Sequence, residues 1–107
     1  MELTIELRAW MGKSQELHQT LQALLPLIRK EKGCMSSRIY KDLEDEDIFF
    51  LEIQWEGIAA LEKHMLSECG RTILGAIDLL GEKVKVRIGN ASPWEGIEVL
   101  KRMRAKA

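Results

Sequence analysis

Trp55 and His64 are the side chains of this sequence best suited to chemistry on a flat organic molecule. An indole can hold an aromatic ring by stacking, and an imidazole with an unperturbed pKa of about 6.5 can take a proton near neutral pH. Trp55 closes a run of alternating residues, and Ile58, Leu61 and Met65 follow it at helical spacing. Ring and imidazole therefore meet near one strand-to-helix junction. Leu61 and Met65, with Leu7 from the first strand, would complete an apolar wall around them. A plainer reading stands beside this one, with Trp55 as core filler and His64 as an edge histidine of a helix. Gly57, Ala59, Ala60, Gly70, Gly75 and Ala76 are small and would leave space above a sheet, which favours a cavity.

Other chemistries find less support. His18 lies between Leu17 and Leu21 with no second ligand at a spacing that would hold zinc or iron, so it is expected at the surface and no metal site is expected. Cys34 and Cys69 form neither a C-x-x-C pair nor a zinc spacing, and read as free, buried thiols without a role. A glycine-rich phosphate loop and a nucleophile elbow are both absent, so nucleotide-dependent and serine-hydrolase chemistry are not expected. With 16 basic and 17 acidic residues well mixed and a net charge of −1, the chain has no field to attract nucleic acid. No apolar run approaches the roughly 20 residues of a membrane span, and the N-terminus alternates where a signal peptide would be continuously apolar. A cytoplasmic protein without membrane association is expected.

The positioning elements follow from periodicity. At 107 residues the chain can bury one core. Leu3, Ile5 and Leu7 alternate with charged neighbours as a first strand. Ser14 is placed to cap a helix whose stripe is Leu17, Leu21, Leu24 and Ile28, with Pro26 expected to disturb its last turn and the end near Gly33. Cys34 to Asp42 and Asp47 to Glu56 read as a hairpin. A second helix starts near Gly57, breaks at Gly70, resumes with Ile73, Leu74, Ile77 and Leu80, and stops at Gly81 in a left-handed cap. Val84, Val86 and Ile88 form strand four. Ser92-Pro93-Trp94-Glu95 combines a capping box with an N-terminal proline and opens a short last helix with a basic tail of Lys101, Arg102, Arg104 and Lys106.

The order βαββαβ is that of a ferredoxin-like α+β sandwich, a four-stranded antiparallel sheet with both helices on one face. Residues 1–90 form this domain and 91–107 a C-terminal helical extension. Met35 and Ile39 join the strand residues named above on the helix side. The other face carries charges around Phe50 and Tyr40, a composition that suits pairing with a twofold copy. A homodimer through this face is expected, and Trp94 is a candidate to pack on the partner.

Gly33-Cys34 at the start of strand two, Tyr40-Lys41-Asp42 before the acidic turn, and Trp55-Glu56 followed by Ala60-Leu61-Glu62-Lys63-His64 resemble the antibiotic biosynthesis monooxygenase domain family. The resemblance runs from Leu3 to about Ile88 and includes Leu25-Pro26-Leu27. It implies a dimeric α+β barrel with a pocket in each subunit between sheet and helices. Several members of that family oxidise quinols or polyketide anthrones with molecular oxygen and neither metal nor flavin, and others bind or degrade haem. Haem-degrading relatives carry an asparagine on the helix-facing side of strand one, where this chain has Leu3, Ile5 and Leu7, so haem degradation is not expected. Two readings remain. One is a cofactor-independent monooxygenase of a quinol-like or polycyclic hydroxyaromatic, with no cofactor expected, Trp55 as wall and His64 as base or phenolate anchor. The other is a non-catalytic dimeric module that binds a hydrophobic small molecule.

Overall fold

In the computed structural model, which describes residues 1–105, the alternation of Leu3, Ile5 and Leu7 with charged residues becomes β1 (Glu2–Ala9). The three aliphatic side chains are buried. There follow α1 (Ser14–Arg29), β2 (Cys34–Lys41), β3 (Ile48–Trp55), α2 (Ile58–Leu66), α3 (Glu68–Leu80), β4 (Gly81–Ile88) and α4 (Glu98–Ala105). All strand pairs are antiparallel, and the sheet order is β2-β3-β1-β4, the ferredoxin-like arrangement. Leu17, Leu21, Leu24 and Ile28 of α1 and Ile73, Leu74, Ile77 and Leu80 of α3 close over Phe49, Leu51, Ile53 and Trp55 of β3 in one core. Leu100 of α4 is fully buried in that same core, packed from the α2 side. No helix among the described residues is long and apolar enough to cross a membrane.

Several local expectations give way to tertiary partners. The second helix breaks at Ser67, not Gly70: Ser67 is extended, with φ −76° and ψ 166°, and its Oγ accepts from the Gly70 amide as an N-cap of α3. A serine that offers its hydroxyl to a helix start wins over a glycine that merely costs helix propensity. Ser14 does not cap α1; its hydroxyl donates to Asp47 in the acidic turn. Gly81 is extended, with φ −94° and ψ 125°, and enters β4 directly instead of forming a left-handed cap. Met35 is 69% exposed, because a register shift between Cys34 and Ser36 makes it the extra residue of a bulge and Ser37 takes the buried position.

The Ser92–Glu95 capping box is not used. Glu95 pairs instead with Val86 in both directions, at 2.7 Å each, along the free edge of β4, and α4 starts only at Glu98. Trp94 therefore lies beside the sheet edge rather than on a helix, with the Arg87 guanidinium 4.7 Å above its ring. Lys106 of the basic tail lies outside the described residues. Both cysteines are free, and both are half-buried rather than buried.

Candidate functional site

Trp55 ends β3 with its backbone amide on the Met1 carbonyl at 2.7 Å, and its own carbonyl accepts from the chain's N-terminal ammonium at 3.1 Å. Its side chain is completely buried on the helix side of the sheet. One helical turn and a half into α2, His64 packs on that indole with ring centroids 4.7 Å apart and planes inclined by 34°. Leu7, Leu61 and Met65 are likewise buried, and all five residues expected at the site belong to the closed interior. The two rings are brought together as the spacing predicts.

The turn between α1 and β2 supplies what the spacing did not reveal. Gly33 has φ +88°, a left-handed conformation open to glycine, and its bare α-carbon lies against the Cβ of Ala60 at the start of α2. This close approach carries Glu31, just before the glycine, to His64, one turn after Ala60. Glu31 Oε1 accepts a hydrogen bond from His64 Nδ1 at 3.2 Å and lies 2.8 Å from the Ser67 hydroxyl. A carboxylate can only accept, so Nδ1 carries the imidazole proton and Nε2 keeps its lone pair. Nε2 is buried without a hydrogen-bond partner, and so is Nε1 of Trp55. Two unpartnered polar nitrogens on stacked rings are costly in a core and are what a polar ligand atom would satisfy. Cys69 Sγ approaches the same cluster: it, Glu31 and His64 offer ligand atoms all within 4.8 Å of one another.

Burial holds the His64 pKa below its ordinary value by penalising the imidazolium, and the Glu31 carboxylate opposes that fall. The ring is thus kept neutral and oriented, the condition of a proton acceptor. Gly70 and Ala60 are spent on close packing rather than on space, whereas a side chain at Gly57 or Gly75 would meet nothing. A side chain at Gly70 would run into the His64 carbonyl, while Ala60 meets Gly33.

An open concavity lies elsewhere, a groove of about 530 Å³ between α1 and β2. Leu25, Ile39 and Phe49 form its apolar part, and His18, Arg38 and Tyr40 its polar part. His18 is exposed, as expected, and stands 6.0 Å from the Phe49 ring. Among the described residues no carboxylate bonds to it, so the groove offers binding area without the paired acid and base of the His64 cluster.

The family model of antibiotic biosynthesis monooxygenase matches residues 2–69, from β1 through the start of α3. A structure from Pseudomonas aeruginosa is 28% identical with a TM-score of 0.73, the match covering 82% of this chain and 93% of that one. An antibiotic biosynthesis monooxygenase superposes with a TM-score of 0.75 at 18% identity, over 86% of this chain and 98% of that one. A protein of Mycobacterium tuberculosis gives a TM-score of 0.71 at 20% identity, over 85% and 97%. No curated protein sequence matches the chain.

Proposed function

The chain belongs to the antibiotic biosynthesis monooxygenase family, and from that premise we propose that it oxidises a quinol-like or polycyclic hydroxyaromatic with molecular oxygen at the Trp55–His64 pair. The observation that carries this reading is the unpartnered Nε2 of His64, set by Glu31 on its far side and backed by the Trp55 ring. An electron-rich hydroxyaromatic reduces oxygen once it has lost a proton, so the protein has to take that proton and hold the ring. His64 Nε2 is the acceptor, and Trp55 supplies the stacking wall and an N–H for the developing oxyanion. Leu7, Leu61 and Met65 keep water from the anion.

For an anthrone the balance closes without a further reductant. The C–H proton passes to His64 and the carbanion gives electrons to oxygen. A C–O bond forms, and the O–O bond then breaks with loss of water, leaving a quinone carbonyl. The site is a closed core, and substrate entry requires α2 to lift from the end of β3. We propose further that the outer sheet face pairs with a second copy around Phe50 and Tyr40.

The test is oxygen uptake by purified protein on a panel of reduced naphthoquinols, anthrones and anthranols with chelator present, His64→Ala and Trp55→Phe in parallel, and isotopic oxygen to follow the new carbonyl. A protein-dependent rate that falls about 10²-fold or more in His64→Ala is expected of a general base. An unchanged rate in that variant overturns the mechanism. A second reading, a non-catalytic module for a hydrophobic small molecule, draws on the groove lined by Leu25, Ile39 and Phe49. It expects ligand binding that survives His64→Ala and no oxygen uptake.

A further inference from the structure

We propose that Glu31, His64 and Cys69 form a binding site for a thiophilic divalent cation, with zinc as the ion whose ligand preferences the set fits. One carboxylate oxygen, one imidazole nitrogen and one sulfur lie mutually within 4.8 Å. A tetrahedral zinc with bonds of about 2.0–2.3 Å holds its ligand atoms about 3.3–3.6 Å apart, so shifts of about 1 Å or less per ligand atom bring these three onto one ion. Hard ions such as magnesium and calcium prefer all-oxygen sets, while a mixed N, O and S set selects zinc among the common divalent ions.

The backbone explains why three residues from distant or poorly spaced positions converge. Within one continuous helix, residues 64 and 69 would point about 140° apart at 3.6 residues per turn. The extended Ser67 between α2 and α3 cancels that divergence and turns Cys69 back toward His64. Gly33 and Ala60 then bring Glu31 in from the α1 side. Ser67 also places its hydroxyl 2.8 Å from the Glu31 oxygen, the outer-sphere contact that commonly orients a ligating carboxylate. Access is one-sided: the His64 side chain is 1% exposed, while that of Glu31 is 26% exposed and Cys69 is half-buried. An ion enters from the Glu31 and Cys69 side and leaves a fourth position for water.

Charge balances in the bound state. Cys69 gives up its thiol proton to solvent, and a divalent ion with one thiolate, one carboxylate and a neutral imidazole is neutral overall. Coordination at Nδ1 displaces the hydrogen bond to Glu31 and obliges the imidazole to carry its proton on Nε2. The buried, unpartnered Nε2 is then an N–H donor instead of an acceptor. This last consequence, that the ion switches off the oxidation, rests on the function proposed above; the binding itself does not.

The experiment uses the reduced full-length protein titrated with Co2+ alone as a spectroscopic probe, then with Zn2+ in competition. The expected result is a sulfur-to-cobalt charge-transfer band with visible bands of tetrahedral intensity, abolished by Zn2+. The band is retained in Cys34→Ser, lost in Cys69→Ser, and shifted to at least tenfold weaker binding in Glu31→Gln. Zn2+ should also raise the Tm of the parent and Cys34→Ser proteins, which reports binding without any substrate. Absence of the charge-transfer band in the parent protein, or its loss in Cys34→Ser with retention in Cys69→Ser, overturns the proposal. Binding without any effect on oxygen uptake would sink only the switching consequence.

Discussion

Arg104 of α4 donates from its Nη1 to two carbonyls at once, those of Met65 at 2.7 Å and Ser67 at 3.0 Å. The break at Ser67 ends α2 and leaves the Met65 carbonyl at its C-terminal end, where a guanidinium also meets the negative end of the helix dipole, while the Ser67 carbonyl already accepts from the Arg71 amide as the first bond of α3. The C-terminal helix thereby fastens the hinge on which His64 and Cys69 both depend. Arg104→Met should lower stability by roughly 1.5–3 kcal/mol, the range for hydrogen bonds that involve a charged group. Urea denaturation checks this, and a loss near zero would remove the fastening role.

Gly33→Ala tests the close approach from the opposite side. The substitution forces a non-glycine residue into a left-handed conformation, which costs about 1–2 kcal/mol, and drives a methyl group into Ala60 besides. The double variant Gly33→Ala with Ala60→Gly should relieve the collision but not the backbone strain. Ala60→Gly alone costs about 1 kcal/mol of helix propensity and is the reference; purely additive effects of the two substitutions would show that Ala60 is not the obstacle.

Acid dependence follows from the buried imidazole. The folded pKa of His64 lies below 6.5 and the unfolded one near 6.5, so on acidification the unfolded chain takes up the proton first. Stability should therefore fall as pH drops below about 6.5, until the folded pKa is passed. NMR titration of the His64 ring in the metal-free protein should give a midpoint below the ordinary imidazole value of about 6.5. Glu31→Gln removes the opposing carboxylate and should push the His64 midpoint lower still; a rise would contradict the pairing.

The outer sheet face provides an assembly test. Phe50 is flanked across the strands by Tyr40 on β2 and Glu6 on β1. Phe50→Asp would set a second carboxylate beside Glu6 and its copy, and sedimentation velocity should report a monomer. A persistent dimer would place the interface elsewhere.

Much of the frame was legible because it rests on short-range periodicity. The alternation at Leu3, Ile5 and Leu7 and the stripe from Leu17 to Ile28 are each decided within one element, and the core uses them as read. The Trp55–His64 contact was legible too, since strand end and helix start are adjacent in sequence. Glu31 was not, because it reaches His64 across 33 positions through a contact of Gly33 with Ala60 that leaves no pattern in either segment. Cys69 was passed over for a related reason. Its approach to His64 needs the helix to break at Ser67, and glycine propensity pointed to Gly70 instead. The capping box at Ser92 failed because an unpaired strand edge offered Glu95 a better partner than a helix start.

The pairing of Glu95 with Val86 also decides how this sheet can meet other sheets. A bare edge strand is a template for adding strands from other chains, and the two edges here are β2 and β4. On the β4 side the template is interrupted at its middle by a segment of the same chain, with Pro93 nearby contributing no amide donor. Lateral growth is left to β2 alone, where the Met35 bulge and the charges of Arg38 and Lys41 work against it. The C-terminal segment thus acts as a selvedge, and a chain truncated before Trp94 would lose that finish and become prone to edge-to-edge aggregation.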